Sequence, residues 1–245
     1  MNNPFSLIDK TILITGASSG IGRACALICA EAGAKLIITG RNEERLSQTL
    51  NALSGEGHKI VIADLINESE RQILVDAIDK ADGVILNAGI NDKSLVKFLK
   101  QEFVSNMMQI NFTASVMLIQ SLLKKKKLSN GCSIVLTSSV SAFYPTISNA
   151  IYGASKAALV QFARVLAKEV KTQNIRVNTI APAMVETQML QAYTLQDNIN
   201  ELRESNFNGR FIQPEEVAYA CQYLLSDAAQ MITGTNVVID GGLTL

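Results

Sequence analysis

Short apolar runs, several rich in β-branched residues, alternate with longer helical segments from one end of the chain to the other. The runs fall at 11–15, 35–39, 59–63, 83–87, 132–137, 175–180 and 236–239. Most are continuously apolar, as expected of strands covered on both faces. The stretches 20–32, 42–53, 67–80, 101–123, 151–171 and 214–226 are long enough for crossover helices. This alternation predicts an α/β fold, a doubly wound parallel sheet with helices on both faces. No Pro/Ser-rich linker interrupts it, so residues 1–245 are expected to form a single domain. Residues 183–211 depart from the pattern. They are mixed in character and carry apolar clusters at Met184–Val185 and Met189–Leu190. Ligands of such sheets bind beyond the carboxyl ends of the strands, so this stretch is expected to be a substrate-binding lid. A surface excursion with a short helix of its own is the alternative.

Composition narrows the function classes. Hydrophobic residues make up 48% of the 245 positions, which argues against disorder. Lys plus Arg and Asp plus Glu number 22 each, so the formal net charge is zero and nothing favours a nucleic-acid partner. No apolar run approaches the length of a membrane span, and the polar first ten residues lack the features of a signal peptide. The expectation is a cytoplasmic protein with no membrane partner. Cys25, Cys29, Cys132 and Cys221 form no Cys-x-x-Cys pair, and His58 is the sole histidine, so no metal site is expected. The cysteines read as small packing residues and His58 as a solvated loop residue. Lys124–Lys127 closes a predicted helix, where cations complement the negative terminus and are solvated. A docking patch for an acidic partner is the alternative.

Two places carry candidate chemistry. The first strand runs into Gly16-Ala-Ser18-Ser19-Gly20-Ile21-Gly22, and a helix follows. Glycines there allow a sharp turn and close approach to a pyrophosphate, and the helix N-terminus offers N–H groups to it. A plain strand–helix turn is the competing reading. The second place is Tyr152-Gly-Ala-Ser-Lys156, which on a helix sets a phenol and an ammonium on one face. An adjacent cation stabilises phenolate and brings a pKa near ~10 toward the working range of a general acid or base.

The spacing Thr15-Gly16-x-x-x-Gly20-Ile21-Gly22 resembles the short-chain dehydrogenase/reductase family. Asp64-Leu65 after the third strand stands where the family has an acidic residue near the adenine. Asn87-Ala88-Gly89 after the fourth resembles its Asn-Asn-Ala-Gly turn, with Leu86 in place of the first Asn. Pro182 and Thr187 match its Pro-Gly-x-x-x-Thr segment, with Ala183 in place of Gly, a change that would strain a backbone needing positive φ. Asn111, Ser139, Tyr152 and Lys156 resemble its Asn-Ser-Tyr-Lys set, Ser139 standing thirteen positions before Tyr152. Ser138 is a rival for Ser139, and Ser141 a lesser one. Segments 209–218 and 234–242 look like the 3-oxoacyl-[acyl-carrier-protein] reductase branch.

The resemblance implies a Rossmann-like sheet of about seven strands, a homotetramer, and hydride transfer involving a nicotinamide cofactor. It implies that Ser139 bonds the substrate carbonyl and that Tyr152 exchanges a proton with it. It implies that Lys156 holds the nicotinamide ribose and that Asn111 helps hold a water for proton refill. Arg41 stands where an NAD enzyme would carry a carboxylate for the ribose 2′-hydroxyl; a guanidinium there suits a 2′-phosphate. NADP(H) is therefore expected in preference to NAD(H), unless Arg41 points to solvent. Three functions compete: a reductase of 3-oxoacyl thioesters, with the lysine run meeting an acidic carrier protein; an oxidoreductase for another alcohol or ketone, such as a sugar, steroid or cell-surface precursor; and a non-catalytic NADP(H) sensor, which the intact quartet speaks against. Met184, Met189, Leu190, Tyr193 and Phe207 read equally as a pocket wall or as packing.

Overall fold

The computed structural model describes residues 3–193, 203–204 and 207–245. Residues 194–202 and 205–206 of the expected lid, and the side chain of Tyr193, lie outside the described residues. The elements run β1 (Thr11–Thr15), α1 (Gly20–Glu31), β2 (Lys35–Gly40), α2 (Glu43–Asn51), β3 (Lys59–Ile62), α3 (Glu68–Asp76) and β4 (Ala81–Leu86). They continue with α4 (Gln101–Met108), α5 (Ala114–Lys124), β5 (Leu128–Thr137), α6 (Ala150–Glu169), β6 (Arg176–Pro182), α7 (Gln188–Tyr193), α8 (Pro214–Leu225) and β7 (Asn236–Ile239). The seven strands form one sheet in the order β3-β2-β1-β4-β5-β6-β7, every pair parallel. This is the doubly wound parallel sheet the alternation predicts, with the Rossmann-like seven strands the resemblance implies.

The continuous apolar runs arise because each strand feeds two cores. In β1, Ile12 and Ile14 pack with Cys25, Cys29, Cys221 and Leu224 of α1 and α8. Leu13 points the other way, toward Leu74 of α3, Leu118 of α5 and Leu159 of α6. All four cysteines are free and buried, as packing residues. His58 is a half-buried loop residue rather than a fully solvated one. Its Nδ1 accepts from the Leu36 amide at 3.2 Å and its Nε2 lies 3.0 Å from the Ser54 carbonyl, so it ties the loop before β3 to β2.

Two predicted elements are divided differently. The stretch 101–123 is not one helix, because a π-helical turn at Gln109–Thr113 separates α4 from α5. β5 begins at Leu128, ahead of the predicted 132. Gly131, at φ 82°, sits in a register shift that lets Ala81 pair with Leu128 and Gly83 with Ser133. Among the described residues no helix is long and apolar enough to cross a membrane.

Candidate active site

The strand order reverses between β1 and β4, and a cleft of about 780 Å³ opens beyond their carboxyl ends. The glycine turn forms one wall. Gly16 and Gly20 adopt φ of 66° and 51°, which side-chain-bearing residues avoid. A Cβ on Gly16 would stand 3.0 Å from the Ala88 backbone, and one on Gly22 would strike the Gly16 carbonyl oxygen. Thr15 Oγ1 accepts from the Asn87 and Ala88 amides at 3.0 and 3.2 Å, pinning the turn after β4 against β1. Gly22 packs behind the turn, while Ser18, Ser19, Gly20 and Ile21 line the cleft.

The start of α1 differs from its neighbours. Asn42 caps α2 by accepting from the Arg45 amide, and Asn67 caps α3 by accepting from the Ser69 and Glu70 amides. α1 has no side-chain cap and no acidic residue in its first turn. Its leading N–H groups, which have no intrahelical acceptor, border the cleft and suit an anion. The far end of this half is cationic. Arg41 lines it, with Nη1 4.0 Å from Asp64 Oδ2, and Arg45 lines it too, donating to Gln188 Oε1 at 3.2 Å. Leu65 completes that end. These residues fit a dinucleotide with its pyrophosphate on α1.

The other half gathers around α6. Tyr152 and Lys156 both line the cleft, with Lys156 Nζ 5.7 Å from the Tyr152 ring centroid. Lys156 is 4% exposed and its ammonium donates to the Thr137 carbonyl at 2.8 Å. Burial pulls its pKa down to about 8. Ser139 Oγ accepts from the Ser141 amide at 3.2 Å and makes a long 3.4 Å contact with the Pro182 carbonyl. The rival Ser138 donates its hydroxyl to the Lys156 carbonyl at 3.0 Å, which ties it to the α6 backbone. Gly89 lines the cleft beneath Lys156; a Cβ there would stand 3.4 Å from its Nζ and 3.1 Å from Asn111 Oδ1.

Asn111 is fully buried in the π-helical turn, behind the cleft wall. Its Oδ1 accepts from the Ile90 amide at 2.8 Å, and its Nδ2 donates to the Ile90 carbonyl at 2.9 Å and to Ser155 Oγ at 3.2 Å. Its side chain thus braces the turn after β4 against α6. Pro182 and Thr187 line the cleft, and a Cβ on Gly20 would stand 3.1 Å from Thr187 Cγ2. The segment after β6 therefore rests on the glycine turn. The strain expected at Ala183 does not arise: its φ is not positive, and its amide donates to the Ile239 carbonyl at 3.0 Å.

Of the expected apolar wall, Met184, Met189 and Leu190 line the cleft, whereas Phe207 is 68% exposed and packs beside Gly241. Sequence reasoning missed Asn91, Asn149 and Leu243, which line the cleft from three separate segments, and Thr137, which contributes a main-chain carbonyl. The Lys124–Lys127 run is misplaced for docking at the cleft. It precedes β5, about 20 Å of strand from Thr137 once the register shift is allowed for, with Lys125 paired to Asp76 at 2.7 Å.

The comparisons agree with this geometry. A family model described as enoyl-(acyl carrier protein) reductase matches residues 16–244. The 3-oxoacyl-[acyl-carrier-protein] reductase of Rickettsia prowazekii is 35% identical over 244 residues, covering 98% of each chain. The crystal structure of 3-ketoacyl-(acyl-carrier-protein) reductase from Brucella melitensis, complexed with NADH, aligns with a TM-score of 0.90 at 29% identity, over 98% of this chain and 100% of that one. A glucose/ribitol dehydrogenase from the same organism aligns with a TM-score of 0.92 at 28% identity, over 100% of both chains. With the glycine turn, the cleft and the Ser139, Tyr152 and Lys156 side chains in one place, the chain belongs to the short-chain dehydrogenase/reductase family of oxidoreductases.

Proposed function

We propose that this protein is an NADPH-dependent carbonyl reductase, reversibly an alcohol dehydrogenase, in which Tyr152 is the general acid and base. The observation that carries the reading is the meeting of Ser139, Tyr152 and Lys156 in the cleft whose other half fits a dinucleotide. The bound nicotinamide supplies or accepts the hydride. Ser139 donates its hydroxyl to the substrate carbonyl oxygen and fixes its position. Tyr152 gives that oxygen a proton during reduction and takes it back in oxidation. Lys156, still mostly protonated near neutral pH, stabilises the phenolate left behind. That effect is strong because the ammonium is shielded from bulk water. Lys156 is also assigned the ribose hydroxyls, and Asn111 holds the Ile90 turn and α6 in register for both tasks.

Arg41 and Arg45 support the preference for a 2′-phosphate. No carboxylate stands at the end of β2, and two guanidinium groups line the adenosine end. For the substrate, a 3-oxoacyl thioester is the reading that the relatives support. A hydroxylated ketone is the second, favoured by Asn91 Oδ1 and Asn149 Oδ1. Both are buried acceptors without a hydrogen-bond partner, on residues that line the cleft, and a side-chain rotation would bring them to a substrate hydroxyl. We also propose a homotetramer, because α5 and α6 leave Met117 and Val165 exposed and β7 leaves Val238 exposed at the sheet edge.

The test is cofactor consumption with acetoacetyl thioester, simple ketones and sugars, using NADPH and NADH in parallel. NADPH should be preferred, and Arg41→Ala should erode that preference. Tyr152→Phe should keep cofactor affinity and lose turnover by about 10²-fold or more. Full activity in Tyr152→Phe would refute the assignment.

A further inference from the structure

The sheet order puts the two ends of the cleft on opposite sides. The adenosine end lies at β2 and β3, on one edge, and β7 forms the other edge beside β6. The segment after β7 thus emerges on the substrate side, and Leu243 from it lines the cleft. It joins Val140 and Tyr144 from the segment after β5 and Met184 and Met189 from the segment after β6.

Leu243 is held by a built turn. The Asp240 carboxylate accepts from the Gly242 amide at 2.9 Å, the Thr244 amide at 3.0 Å and the Thr244 hydroxyl at 2.6 Å. The Leu243 amide donates to the Asp240 carbonyl at 3.2 Å. Gly241 and Gly242, at φ 60° and 83°, make the reversal, and a Cβ on Gly241 would stand 2.9 Å from Phe207 Cβ. The conformation is therefore held by the carboxylate within the turn, and Phe207 packs beside it. A side chain so fixed presents a rigid apolar surface rather than a swinging tail.

We propose that Leu243 is a specificity-determining residue that caps the substrate end of the cleft and limits the bulk of the group beside the reacting carbonyl. The substrate class it selects is a carbonyl compound with a slim, partly apolar flank. The inference rests on the carbonyl-reductase reading and deepens it. A rigid isobutyl group at the pocket end discriminates by volume, and a change of one or two methylenes in an apolar pocket shifts selectivity about tenfold or more.

The experiment compares ethyl acetoacetate with ethyl benzoylacetate, which differ in the bulk beside the ketone. Leu243→Ala should raise kcat/KM for the benzoyl compound relative to the acetyl compound by about tenfold, and Leu243→Trp should lower that ratio. Asp240→Ala, which frees the turn, should move it in the Leu243→Ala direction. The same ratio is read without turnover as dissociation constants for the NADPH-loaded Tyr152→Phe background. Absence of turnover with every carbonyl compound would defeat the reductase reading, and the binding ratio would still decide the cap. A ratio unchanged in both Leu243 variants, or no binding of either ester, would overturn the proposal.

Discussion

A lysine ammonium withdrawn from water is costly, and Lys156 is such a group. Its ammonium donates to the Thr137 carbonyl, and burial lowers its pKa from 10.5 to about 8. Between those values the unfolded chain binds this proton and the folded protein does not. Stability should therefore rise with pH through that window and lie flat, from this group, below it. Urea unfolding of cofactor-free protein and Lys156→Met, taken from neutral pH to pH about 10, isolates the effect as a difference. The wild type should gain on the variant by an amount on the order of 3 kcal/mol across the window. A constant difference would show that the lysine is not held neutral-leaning by burial. Tyr152 and Lys156 were legible in the sequence because a helix puts positions four apart on one face. Thr137 was not, since it acts through its main chain, which any residue type supplies. Ser139 and Ser138 are the same residue type and differ in sequence only by the spacing to Tyr152; in the fold the Lys156 carbonyl occupies the Ser138 hydroxyl.

At the scale of elements, the junction of β1 with α1 concentrates the constraint. Gly22 has its missing side chain filled by the Gly16 carbonyl, so the helix and the turn before it are in contact along their backbones. Gly22→Ala must push them apart. It should lower the melting temperature and weaken cofactor binding more than about tenfold, read by NADPH fluorescence titration, while leaving the substrate half intact. The alternation of strands and helices was readable because burial on both faces leaves continuous apolar runs. The π-helical turn inside 101–123 was not. One extra residue in a turn hardly disturbs an apolar pattern, and the signal for it is a tertiary one, the Ile90 backbone that Asn111 reaches. The Ala183 position shows the reverse case. The sequence pointed to strain, but the chain leaves β6 by continuing its bonding to β7, which any residue tolerates.

Across the whole molecule, one sheet collects chemistry from segments more than two hundred positions apart, from Gly16 to Leu243. Such distant pairings are what a single sequence hides best, and Leu243 stayed unnoticed for that reason. The exposed Met117, Val165 and Val238 side chains, on which the proposed tetramer rests, belong to the same scale. Light scattering behind size exclusion should give four times the chain mass of 26.5 kDa. Met117→Glu combined with Val165→Glu should break that mass down. A wild type that elutes at the chain mass would remove the tetramer.

The closeness of Thr187 to Gly20 bears on the order of events in the reductase reading. Whatever lies along the glycine turn is overlain by the segment that borders the reacting centre. On that reading we expect the dinucleotide to arrive first and leave last, with the carbonyl compound entering and departing while it stays in place. Product-inhibition kinetics should then show a compulsory sequence, with release of the spent nucleotide as the last step.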